Sequence, residues 1–181
     1  MITNERVRRP ISDQELERRW AEVRKILAEK ETDMIFLQGS NMHLGGYVRW
    51  FTDIPAEYNY NMTVLFPADD EMTLVRSSAS PVPAWALRGV REIKYAPFCP
   101  TLNYSAESEV GLVVDFIRSR GAKRVGYAGK AFIHSAMMLS LLHTFPDVEF
   151  VDLSNEIDAV KALKSDEEME CARATARLHD A

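Results

Sequence analysis

The chain reads as an α/β protein with a mixed sheet covered on both faces, and three patterns in its sequence say so. Short runs of β-forming residues alternate with amphipathic helical segments. One pair of runs, YNYNMTVLF and MTLVR, is separated only by a turn around Pro67 and Asp69-Asp70, which marks an antiparallel hairpin. The run Asp33 to Gly39 (DMIFLQG) is apolar almost throughout, as a strand buried from both sides would be.

Taken in order, residues 1 to 11 form a flexible lead-in. Ser12 and Glu15 have the spacing of a capping box, in which each side chain satisfies a free backbone N–H at a helix start. Leu16, Trp20, Val23 and Leu27 then repeat at helical spacing, predicting an amphipathic helix that ends near Glu31. The strand at Asp33 to Gly39 follows, then an irregular aromatic stretch, SNMHLGGYVRWFTD. Tyr58 to Phe66 and Met72 to Arg76 make the hairpin. Pro81 to Arg88 is a short helix with Gly89 at its end, Glu92 to Tyr95 a weak strand, and Pro97 to Asn103 irregular.

Ser105 is placed to cap a helix carrying Leu112, Val113, Phe116 and Ile117, closed by Gly121. KRVGYAG is a strand and turn, Phe132 to Phe145 a helix with Ile133, Met137 and Leu141 inward, and VEFVDL the last strand. A second capping box, Ser165 with Glu168, opens a helix in which Met169, Ala172, Ala176 and His179 form a thin apolar stripe. Neither Gly nor Pro ends that helix, so it reads as the start of a further domain.

Composition restricts the partners. The 181 residues carry a formal charge of -5 and 46% hydrophobic residues, an ordinary globular balance that argues against nucleic acid and anionic membranes. No apolar run approaches the roughly 20 residues needed to span a bilayer. The N-terminus, MITNERVRRP, lacks a signal-peptide core, and Cys99 and Cys171 have no paired spacing. A cytoplasmic chain with free thiols is expected, which makes the glycosylation-like triplets at Asn61 and Asn103 chance matches.

Most catalytic chemistries are argued against by spacing. His43, His134, His143 and His179 are scattered without HExxH or a clustered carboxylate set, so no metal site is expected within the chain. Gly126-Tyr-Ala-Gly129-Lys130 has two residues between its glycines where a P-loop has four, and Ala131 stands where Ser or Thr is required. No Gly-x-Ser-x-Gly elbow occurs. The unusual stretch is Asn41 to Asp53, where Gly45 and Gly46 precede Tyr47, Arg49, Trp50 and Phe51. As a strand it would place Tyr47, Arg49 and Phe51 on one side and Val48 and Trp50 on the other. Two readings stand: a packed strand with Trp50 in the core, Arg49 in solvent and at most a local Asp53–Arg49 ion pair, or a surface loop offering Tyr, Trp and Arg to a ligand or partner.

Three of these stretches together resemble the N-terminal domain of the creatinase / aminopeptidase P / prolidase family, metallopeptidases with a "pita-bread" catalytic domain. The helix Glu15 to Lys30 running into Asp33-Met-Ile-Phe-Leu is similar to the family's first helix and strand. Asn41-Met-His-Leu-Gly-Gly-Tyr47 resembles its Asn-x-x-Tyr-Leu-Thr-Gly-Phe pattern, one residue shorter, with His43 in place of Tyr and Gly45 in place of Thr. Lys161-Ala-Leu-Lys164-Ser-Asp-Glu-Glu168-Met resembles the R-x-I-K-S-x-x-E-I junction into the catalytic domain.

The resemblance implies a three-layer α/β/α sandwich with a mixed, roughly six-stranded sheet of the ribonuclease H-like type over residues 1–163. Residues 164–181 would then be the junction and first helix of a catalytic domain that lies beyond Ala181. It implies no catalytic residue and no cofactor in this chain. Two divalent metal ions (Mn, Zn or Co) would be held by two Asp, one His and two Glu of that following domain. It further implies a homodimer or higher homo-oligomer in which this domain partly covers the active site, often the neighbouring subunit's. Tyr47, Arg49, Trp50 and Phe51 are the candidates to touch substrate. The parent reaction is left open among Xaa-Pro hydrolysis, creatine amidinohydrolysis and dimethylsulfoniopropionate lysis. A stand-alone α/β binding or scaffold protein is the rival reading.

Overall fold

In the computed structural model, residues 10–39, 46–54, 61–77, 82, 86–97 and 104–179 are described, the side chains of 104–106 excepted. The elements run α1 (Asp13–Glu29), β1 (Met34–Gly39), α2 (Gly46–Thr52), β2 (Met62–Pro67), β3 (Met72–Arg76), β4 (Val90–Tyr95), α3 (Tyr104–Arg120), β5 (Arg124–Ala128), α4 (Ser135–Thr144), β6 (Glu149–Asp152), α5 (Ser154–Ala162) and α6 (Asp166–His179). The strands form one six-stranded sheet in the order β4-β3-β2-β1-β5-β6. β2 runs antiparallel to both β1 and β3, while β1 with β5, β3 with β4 and β5 with β6 are parallel. The hairpin and the mixed sheet are therefore both present.

Period-two alternation explains the layers. On β1, Ile35 and Leu37 join Leu16, Val23 and Leu27 of α1, Val48 and Phe51 of α2, and Ile157 of α5. Met34 and Phe36, pointing the other way, join Val113, Phe116 and Ile117 of α3 and Met137 and Leu141 of α4. β2 divides in the same way, Val64 and Phe66 against Leu65. With helices on both sides, every residue of β2 and β3 is buried. The result is an α/β/α sandwich.

Helix ends show where local signals prevailed and where they did not. Ser12 caps α1, its hydroxyl accepting from the Glu15 N–H at 3.1 Å. The expected return bond from Glu15 is not made. Ser12 instead donates its N–H to Glu167 Oε1 (2.7 Å) and its hydroxyl to Glu167 Oε2 (2.6 Å), both on α6. The second box closes in both directions: Ser165 N–H donates to Glu168 Oε2 at 3.0 Å and Glu168 N–H to Ser165 Oγ at 3.2 Å. α3 begins at Tyr104, so Ser105 lies inside it rather than at its cap; Gly121, at φ 60°, takes the left-handed turn that closes it.

α4 begins three residues later than its apolar pattern predicts. His134 is extended there (φ -57°, ψ 133°) and takes the N-cap position of the helix, its N–H donating to Gln38 Oε1 at 2.7 Å. The expectations for residues 1–9, for the Asn41–Gly45 part of the family-like motif, for 58–60, for most of 81–85 and for 98–103 lie outside the described residues.

Candidate functional site

The Tyr47–Asp53 stretch is not a strand. It is the helix α2, and the expected alternation of its side chains is replaced by helical spacing. A seven-residue helix leaves most of its terminal carbonyls without intrahelical partners, and here α1 supplies them. Arg19 Nη1 donates to the Trp50 carbonyl at 2.9 Å and Trp20 Nε1 to the Phe51 carbonyl at 2.8 Å. Asp53 then turns the chain at φ 56°, its N–H donating to the Arg49 carbonyl at 2.7 Å. Its carboxylate accepts from the Ile11 N–H (2.9 Å) and from Arg88 Nη2 (2.8 Å). The Asp53 ion pair is therefore with Arg88, not with Arg49.

Helical spacing sorts the four candidate residues. Tyr47 and Phe51, four apart, face the sheet and are buried. Phe51 stacks edge-on against Phe66 at 5.5 Å between ring centroids. Trp50 is half-buried between Phe51 and the Arg19 guanidinium, which lies 5.3 Å from its ring centroid. Its indole N–H is buried without a hydrogen-bond partner. Arg49 is exposed, with no side-chain partner among the described residues. The structure thus brings Arg49 and Trp50 to one outer edge and packs the other two beneath them.

Beneath α2, Tyr47 Oη donates to Asp158 Oδ1 at 2.8 Å, and the Lys161 ammonium sits 3.8 Å from the Tyr47 ring centroid. Burial, then the bond to Asp158, pushes the Tyr47 phenol well above its ordinary range. Burial also pulls Lys161 down, against the nearby Asp158 carboxylate. Gly129, at φ 72°, is required here, because a Cβ would lie 2.5 Å from the Tyr47 ring. Tyr47 therefore fastens α2 to α5 and to the turn after β5.

A second fastening runs through Arg19, which is only 3% exposed. Its guanidinium reaches Glu15 Oε1 on α1 (2.8 Å), the Trp50 carbonyl on α2 (2.9 Å) and Glu168 Oε1 on α6 (2.9 Å). Arg18 forks onto Glu15 at 2.8 and 2.9 Å. Burial alone would raise the Glu15 carboxyl. Bonds from Arg18, Arg19 and Ser165 outweigh it and hold the group at about 2. Sequence named Glu15 only as half of a capping box and did not name Arg19, although both adjoin the Leu16-Trp20-Val23 stripe.

A third polar group, also missed, lies on the opposite face of the sheet. Glu109 of α3 is 4% exposed, and its Oε1 accepts from Thr63 Oγ1 (2.7 Å) and Gln38 Nε2 (3.0 Å). Asn61 Nδ2 and His134 Nε2, 3.1 Å apart, continue the group outward. Burial pushes the Glu109 carboxyl up against those two hydrogen bonds. The sequence did carry a signal, since Glu109, Val113 and Phe116 share one helical stripe.

Among the described residues, no group of three or more His, Cys, Asp or Glu could hold a metal ion, and no helix is long and apolar enough to cross a membrane. The stretch presents an exposed guanidinium beside an indole, on a helix fastened from below.

Comparison with solved structures gives the architecture a context. The chain superposes on an Xaa-Pro dipeptidase from Bacillus anthracis with a TM-score of 0.59 at 14% identity, covering 86% of this chain. It matches an X-Pro aminopeptidase from Thermotoga maritima at 0.61 and 10% identity, over 83% of this chain. The fold is the one these Xaa-Pro peptidases carry in the matched part of their chains. This chain spans only 38% of the length of either enzyme. It covers 98% of a shorter solved chain of a Streptococcus thermophilus Xaa-Pro aminopeptidase, with a TM-score of 0.55 at 14% identity over 81% of its own length. No family model matches the sequence, and no curated protein does.

Proposed function

We propose that the chain is the non-catalytic N-terminal domain, for oligomerisation and active-site gating, of a cytoplasmic creatinase/Xaa-Pro aminopeptidase-like metallohydrolase. The observation that carries this reading is the fold shared with an Xaa-Pro dipeptidase over 86% of this chain but only 38% of that enzyme. Residues 1–163 are the domain proper, and 164–181 the junction and first helix of the catalytic part. The described residues offer no donor set for two divalent ions. The metals are assigned to the following part, and no chemical step is assigned to this chain.

Its contribution is contact. Arg49 carries a positive charge at the surface, suited to a peptide carboxylate or carbonyl, with the Trp50 indole beside it. Tyr47 and Phe51 act from beneath by holding α2 in place. A homo-oligomer would let this edge reach a neighbouring subunit's site.

Steady-state kinetics on the longer parent protein tests the contact. Arg49→Ala should raise KM for an Xaa-Pro dipeptide about fivefold or more, the loss of one charge-assisted contact. Trp50→Ala should raise KM or lower kcat while the domain stays folded. Unchanged kinetics in both variants would sink the substrate contact. Loss of several kcal/mol of stability on Trp50→Ala would instead show that the indole is packing.

A further inference from the structure

α6 has no buried residue along its whole length: Met169 is 39% exposed and Leu178 80%. A helix of 14 residues with no apolar burial has little to hold it in place. Its first turn is held by polar groups of Ser12, at the cap of α1, and of Arg18 and Arg19 within it. Glu167 accepts both Ser12 bonds, and Glu168 accepts from Arg19 at 2.9 Å with Arg18 at 3.7 Å.

Arg19 is the residue common to this anchor and to α2. Three of its donors go directly to three different elements, at 2.8 to 2.9 Å. A planar guanidinium can serve three acceptors in fixed directions, which a lysine ammonium on a flexible stem does not reproduce. Glu15 fixes one edge of the guanidinium while Glu168 and the Trp50 carbonyl take the others. A displacement of α6 therefore removes one acceptor of a buried charge and loosens the guanidinium that holds the Trp50 carbonyl, one of the supports of the edge bearing Arg49 and Trp50.

We propose that Arg19 is a positioning residue that locks α2 to α6, so that the Arg49–Trp50 edge and the junction helix keep one fixed relation. The lock itself rests only on the contacts described. That α6 leads to the catalytic half rests on the functional reading above. In that setting the lock ties the substrate-contacting edge to the domain that performs the reaction. A shift of the catalytic half would be felt at Arg49 through a single buried guanidinium.

Amide hydrogen exchange on the 181-residue chain tests the lock without reference to any activity. Glu168→Gln leaves an oxygen to accept from the Ser165 N–H but removes the charge facing Arg19. It should speed exchange about tenfold, the loss of a charged hydrogen bond, both in the first turns of α6 and at the Trp50 to Asp53 amides. The β1 and β2 amides should be unchanged. Arg19→Met should do the same more strongly, and Arg19→Lys should fail to restore either region.

Faster exchange in α6 with α2 unchanged would overturn the proposal. So would rescue by Arg19→Lys, or a uniform increase across the sheet in Glu168→Gln, which would make the effect global. Absence of Xaa-Pro hydrolysis in the parent protein would sink the functional reading and leave these exchange results standing.

Discussion

Glu109 and Glu15 show how two carboxylates of one small domain are driven in opposite directions. Glu109 meets two neutral donors in an otherwise apolar layer, so burial dominates and its carboxyl titrates above the ordinary 4.5. The folded state then keeps a proton that the unfolded chain releases. Stability must fall as pH rises above the unfolded value, until the folded group also ionises. Glu109→Gln keeps the acceptor for Thr63 and cannot ionise. Urea unfolding should place it within about 1 kcal/mol of the parent sequence at pH 5. At pH 8 it should be the more stable of the two, with a flatter pH profile between. Parallel profiles for the two proteins would show that Glu109 is ionised in the fold.

At the level of elements, α6 is the informative case. Its start was legible because Ser165 and Glu168 act on each other across three residues of sequence. α2 was not legible, because the groups that end it, Arg19 and Trp20, lie some thirty residues earlier in the chain. The same holds for the half-formed box at Ser12, whose N–H was claimed by Glu167 from 155 residues away. Local chemistry predicts a helix end only where no distant group competes for it. The anchor of α6 also has a defined pH window. Glu15 is depressed to about 2, so its contribution is complete above the ordinary 4.5 and is lost progressively as pH falls from there through about 2. Far-ultraviolet circular dichroism should therefore show α6 retained from pH 7 down to pH 4. Loss of helix signal between pH 5 and 4 would mean that the Glu15 pair is not the anchor.

For the whole molecule, the sheet was legible to within a residue or two at most strands. β1 is apolar from Met34 to Leu37 and β2 from Val64 to Phe66, runs that long-range contacts can reinforce but not reverse. The candidate site was legible only as a stretch. Tyr47 to Phe51 stood out by composition, while the face each residue takes depended on contacts with α1 and α5. The Glu109 group sat hidden in an ordinary helix stripe. On the proposed reading, this architecture would contribute a rigid support for one exposed edge, with chemistry left to a following domain. The most direct test is one dipeptidase assay, with an Xaa-Pro substrate and added Mn, Zn or Co, run on the 181-residue chain and on a longer protein that contains it. The account predicts turnover by the longer protein and none by the chain alone. Turnover by the isolated chain, or none by either, would contradict it.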